Sequence, residues 1–129
     1  MSAIEEVQRV CEQIVTAAAK GDFAPFANAL DDDLEVFDHV PYLFDSKASF
    51  MNYFQSAFAG AEKVTYDLHQ PSIRAINDTM AVVNAYDRIA TFPKGGGTPI
   101  VQSGRTTMVL TKRGSQWKIV SAHFSPLPH

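Results

Sequence analysis

Residues Ile100 to Phe124 read IVQSGRTTMVLTKRGSQWKIVSAHF. Two runs rich in β-branched and apolar residues, Ile100 to Lys112 and Gln116 to Phe124, flank Arg113-Gly114-Ser115, a pattern that predicts a β-hairpin. Met80 to Phe92 and Val64 to Ile76, just upstream, have the same strand composition and meet at Asn77-Asp78, a tight turn. Pro71 cannot donate to a ladder, so a bulge or an edge position is expected there. Gly95-Gly96-Gly97 lies between Pro93 and Pro99 and joins two strands, so it reads as a flexible hairpin loop and not as a phosphate cradle.

The N-terminal third has a different period. Ile4, Val7, Cys11, Ile14, Val15 and Ala18 recur at helical spacing, and Gly21 ends that helix. Asp22 can cap a second helix, whose short apolar face is Phe23, Phe26 and Leu30. Asp31-Asp32-Asp33 reads as a solvated turn, because the spaced ligands of a calcium loop do not follow it. Leu34 to Asp38 alternates as a short strand, which Pro41 breaks. Ser46 caps a third helix bearing Phe50, Met51, Phe54, Ala57 and Phe58 on one face, and Gly60 closes it. Helices gathered first and long strands after them imply an α+β fold: N-terminal helices on a curved antiparallel sheet, in one domain spanning 1–129. A curved sheet under few helices leaves a cavity between the layers, so a pocket is expected on architectural grounds.

Composition narrows the partners. The chain has 129 residues, of which 46% are hydrophobic and 19% charged, with a formal net charge of −3. That mixed, slightly acidic balance excludes nucleic acid as the main partner, because phosphate neutralisation needs a basic stripe. No apolar run approaches the ~20 residues that span a bilayer. The acidic start Met1-Ser2-Ala3-Ile4-Glu5-Glu6 lacks the regions of a secretory signal, and a lone Cys11 cannot form an internal disulfide. A reduced, cytoplasmic setting is therefore expected, with Cys11 as a small buried hydrophobe. Neither a nucleophile elbow nor a Cys-x-x-Cys is present, and no histidine pair has metal-ligand spacing. No metal or cofactor is expected.

Three stretches together resemble the NTF2-like superfamily: Ala19 to Phe23, Leu34 to Asp38, and Gly104 to Thr107 followed by Trp117 to Ser125. Within it the chain looks most like SnoaL-like and ketosteroid-isomerase-like proteins and the association domain of calmodulin-dependent kinase. The resemblance implies a cone-shaped domain that forms a homodimer through the outer sheet face. It implies two functions from different classes. One is proton transfer beside a carbonyl of a small apolar substrate, of the isomerase or lyase type. The other is a non-catalytic module for ligand binding or oligomerisation.

Asp38 ends its strand before a Pro-containing loop, and by resemblance it matches the general base of ketosteroid isomerases. The other reading is a loop-entry carboxylate that caps backbone amides. By the same resemblance Ile14 stands where those enzymes place a tyrosine, and Thr106 or Thr107 where they place a neutral acid. By strand alternation Arg105 and Thr107 share one face, as do Trp117, Ile119, Ser121 and His123. If both sets face inward, Arg105 can clamp a carboxylate or enolate while His123 donates or transfers a proton. If they face outward, Arg105 forms an ion pair on the sheet and His123 sits at a dimer seam. Tyr86 and Arg88 point the same way on their strand, and Tyr42 is a candidate lid residue after Asp38, whose neighbour His39 could tune it. Phe37, Phe50, Phe54 and Phe58 read first as core, and some of them must line the cavity under the third helix. The expected partners are a small organic ligand and a second copy of the chain.

Overall fold

The computed structural model describes residues 1–38 and 43–128. Ser2 begins α1 (Ala3–Ala18) with a capping box: its Oγ accepts from the Glu5 amide, and the Glu5 carboxylate accepts from the Ser2 amide. Val7, Cys11, Ile14 and Ala18 form the buried stripe of this helix. In α2 (Ala24–Ala29) Pro25 occupies the first turn, and Asp22 Oδ1 accepts from the Ala24 amide at 3.0 Å. The first strand, β1 (Leu30–Phe37), starts before Asp31. The aspartate run expected as a turn therefore belongs to a strand, where Asp31 pairs with Arg113 at 3.2 Å. A two-residue β2 (Leu43–Phe44) leads to Ser46, whose Oγ accepts from the Ser49 amide to start α3 (Lys47–Ala57).

Four long strands follow: β3 (Ala61–Asn77), β4 (Met80–Pro93), β5 (Ile100–Arg113) and β6 (Gln116–Pro126). Together they build one curved, unclosed sheet in the order β2-β1-β6-β5-β4-β3. Every pairing is antiparallel except β1 with β6. The expected α+β class and the element order hold. Pro71 sits at a break in the β3–β4 register between His69 and Ser72, next to Gln70 at φ 53°, and β3 is an edge strand.

The helices cover one face of the sheet. Leu34, Val36, Val83, Leu110 and Ile119 are at most 1% exposed and meet the α1 stripe there. Each such side chain stabilises the fold by roughly 1.5–3 kcal/mol. Lys112 with Glu6 at 3.2 Å ties the β5 end to α1.

Two local features position the site. In β6 the pairing passes from Leu110 opposite Ile119 to Val109 opposite Ser121, so Val120 is an extra residue, a β-bulge. Trp117 and Ile119 point inward before it, and Ala122 points inward after it. Ser121 and His123 are exposed on the outer face instead. The expectation that Trp117, Ile119, Ser121 and His123 share one face is corrected by that single insertion.

Gly104 in β5 lies opposite Asp87. A Cβ at Gly104 would stand 2.5 Å from the Ser125 carbonyl oxygen and 3.0 Å from Asp87 Oδ1. Backbone on one side and a buried carboxylate on the other leave no room to yield. Gly104→Ala is therefore expected to lower stability by about 1–3 kcal/mol, read by urea denaturation. An unchanged midpoint would show that β6 moves freely at this point.

Candidate functional site

The inner face of the sheet and the helices enclose a cavity of about 90 Å³. That is several times the ~10–15 Å³ a single water needs, and less than the ~150 Å³ apolar cavity that takes up benzene. Its roof is aromatic. Phe54 on α3 is the hub, with ring centroids 5.3 Å from Phe23, 5.7 Å from Phe26 and 4.9 Å from Phe58. These edge-on and tilted contacts suit the ring quadrupoles, so the roof is a fitted wall and not a loose cluster.

The floor is polar and comes from strand parity. Ala81, Val83, Ala85, Asp87 and Ile89 alternate inward along β4, so the helical face receives one carboxylate among apolar neighbours. Asp87 is 3% exposed and Thr106, on the adjacent strand, is 1% exposed. Thr106 Oγ1 donates to Asp87 Oδ2 at 2.5 Å, and Tyr66 Oη lies 3.2 Å from Thr106 Oγ1. A threonine hydroxyl has one hydrogen. Thr106 gives it to Asp87, so the phenol of Tyr66 donates to Thr106. All hydrogens in the chain run toward Asp87, and the lone pairs of Tyr66 are left to the cavity. Burial, with smaller contributions from the Asp87 and Asp38 charges, pushes the Tyr66 phenol well above the ordinary tyrosine range. Asp38, half-buried at the end of β1, also lines the cavity, as do Gln102 and Phe124.

The sequence candidates separate onto two faces. Asp38, Phe54 and Phe58 line the cavity. Arg105, Thr107, Tyr86 and Arg88 are exposed and occupy the opposite parity of β4 and β5, on the outer face. His123 is on that outer face because of the bulge, with its ring 6.0 Å from that of Phe37, which is 53% exposed. Thr107 donates to Asn84 at 2.6 Å there. Arg105 and His123 thus both face outward and do not meet in the cavity. Tyr42 and His39 lie outside the described residues.

Sequence reasoning missed Tyr66 and Asp87 and gave Thr106 no partner. The β4 alternation carried the signal for Asp87: the parity that places Tyr86 and Arg88 together assigns Asp87 to the apolar set. Among the described residues no group of three or more His, Cys, Asp and Glu side chains is placed to hold a metal, and no helix is long and apolar enough to cross a membrane. Burial pushes the Cys11 thiol up to about 11, which keeps it protonated and inert at neutral pH.

Residues 7–128 match the model of the SnoaL-like domain. This chain belongs to the SnoaL-like family. As a SnoaL-like domain it shares the fold of the NTF2-like superfamily. It is 26% identical over 127 residues to the calcium/calmodulin-dependent protein kinase type II subunit delta of Oryctolagus cuniculus; the match covers 96% of this chain and 24% of that protein. The domain therefore spans about a quarter of that relative's length. A proposed calcium/calmodulin-dependent protein kinase II association domain from Xanthomonas campestris superposes with a TM-score of 0.80 at 23% identity, covering 96% of this chain and 87% of the other. A proposed scytalone dehydratase from Novosphingobium aromaticivorans gives a TM-score of 0.83 at 11% identity, with 96% and 83% covered. Similar structures thus come with both dehydratase and association-domain names.

Folding raises the pKa of Tyr66. Its contribution to stability is complete below the ordinary phenol range and falls as pH rises through that range toward the folded value. In an ultraviolet titration of the four tyrosines, one phenol is expected to ionise late, together with alkaline unfolding. Tyr66→Phe should remove that late step, and a late step that survives the substitution assigns it to another tyrosine.

Proposed function

We propose that this SnoaL-like domain is a ligand-holding assembly module: copies pair through the outer face of the sheet, and each keeps one small organic molecule in its cavity. The observation that carries this reading is the exposed outer face. Phe37, Leu43, Tyr86, Val101 and Met80 stand there at 53%, 42%, 48%, 48% and 39% exposure. Apolar side chains spread over one sheet face and rimmed by polar groups mark an interaction surface. Arg105, Arg88 and His123 stand among them with Asp67 and Asn84 in register. A face holding both signs of charge complements its own copy about a two-fold axis. The association-domain names among its relatives support the same reading.

Placing Arg105 and His123 outside the cavity removes the two electrophiles that an enolate would need, and this ranks proton transfer second. Phe37→Ser with Tyr86→Asp is expected to convert a dimer to a monomer in light scattering while far-ultraviolet circular dichroism stays unchanged. A wild-type chain that is monomeric at every concentration, or a dimer indifferent to both substitutions, overturns the assembly reading.

The second reading is proton transfer next to a carbonyl, of isomerase or lyase type, and it is favoured by Asp38 lining an apolar cavity. A compound that co-purifies with the chain in native mass spectrometry supplies the probe. The protein should then catalyse deuterium uptake from solvent at the carbon beside its carbonyl, and Asp38→Asn should lower the rate by about a hundredfold or more. Equal uptake with the variant would rule out Asp38 as the base.

A further inference from the structure

We propose that pairing through the outer sheet face is gated by pH at His69 and His123. Copies hold together while both rings are neutral and part when the rings gain protons. The inference rests on the outer-face pairing proposed above, and it names the groups that regulate it.

Both histidines are exposed, and the strand register puts both on that face. His123 stands opposite Phe37 on β1 and Thr107 on β5, with its ring 6.0 Å from that of Phe37. His69 stands opposite Tyr86 on β4, and Tyr86 in turn stands opposite Arg105 on β5. The two histidines therefore lie beside Phe37 and Tyr86, exposed rings that a second copy covers in the paired state. The same ladders name their charged neighbours. Beside His123 these are Glu35, at the next outward position of β1, and Arg105, at the next outward position of β5. Beside His69 they are Asp67 on its own strand and Arg88 opposite Asp67, with Arg105 beyond Tyr86 in the same row. Among the described residues, the two carboxylates around the histidines are thus matched in number by two guanidiniums. This part of the face is balanced while the rings are neutral.

Histidine is the side chain whose charge ordinarily changes between about pH 5 and 8. Protonation of His69 and His123 upsets the balance on both copies at once, and the added charges have no carboxylate in excess to meet them. Taking an unmatched imidazolium out of water is costly, and surplus like charges on two apposed faces repel each other. Both effects favour the neutral ring in the pair. The separate chains then bind more protons than the pair does. Association is complete above the histidine range and falls as pH drops through it. Each proton taken up on separation can weaken pairing by at most about tenfold per pH unit.

Sedimentation equilibrium of the full chain, at constant ionic strength, gives the dissociation constant at successive values from about pH 8 to about pH 5.5. The expected result is pairing about tenfold or more weaker at the acid end, with far-ultraviolet circular dichroism unchanged. Added salt should tighten the pair at that end, because it screens like charges. His69→Gln and His123→Gln should each make the plot of log Kd against pH shallower, and the double variant should flatten it. His39 and His129 lie outside the described residues, and these variants separate their titration from that of His69 and His123. Pairing that is constant or tighter on acidification overturns the proposal, as does a slope that survives in the double variant. Either outcome leaves the assembly reading standing, because the chain still pairs. A chain that is monomeric at every pH and concentration removes the assembly reading, and the gate with it.

Discussion

One extra residue in β6 fixes which side chains meet the cavity. Without Val120 as a bulge, alternation from Trp117 would carry Ser121 and His123 inward and turn Ala122 out. With it, Trp117, Ile119 and Ala122 all pack under the helices, and Phe124 reaches the cavity wall. A bulge also increases local twist, which bends the strand around the space it helps to close. The phase of β6 then propagates through the ladder: His123 stands by Thr107, Thr107 by Asn84, and Phe37 by His123, all on the outer side. The division between a cavity face and an exposed face follows from this count of residues.

Much of the fold was legible because it rests on local signals. The helical stripe of α1, the Ser46 cap, the hairpin at Arg113-Gly114-Ser115 and the irregularity at Pro71 each depend on residues within a turn or two of one another. The aspartate run was misread for the opposite reason. Asp31, Asp32 and Asp33 have turn-like composition, yet Leu30 and Leu34 are only 3% and 0% exposed and hold the segment extended against the sheet. Tertiary burial of the flanking leucines outweighs the local preference of the aspartates.

The site was harder to read than the fold, and the reason is parity. Any face assignment along a strand holds only until the first bulge, and nothing in Lys118-Ile119-Val120-Ser121 announces one. Where the ladder stays in phase, as across β4 and β5, the sequence does contain the answer. Asp87 interrupts an apolar alternation, and Gly104 opposite it is the residue whose missing side chain makes room for the carboxylate. The chain from Tyr66 to Thr106 to Asp87 spans three strands and 40 positions between its first two members, so only the register reveals it.

The break in β3 has a consequence for how sheets of this kind meet. A long, regular edge is a template on which a further chain can add strand by strand, without limit. Here one edge is a strand of two residues, Leu43–Phe44. The other is interrupted midway, where Gln70 adopts φ 53° and Pro71 offers no hydrogen. Neither edge can zip onto a neighbour along its length. Growth into an open fibre by strand addition is blocked at both borders.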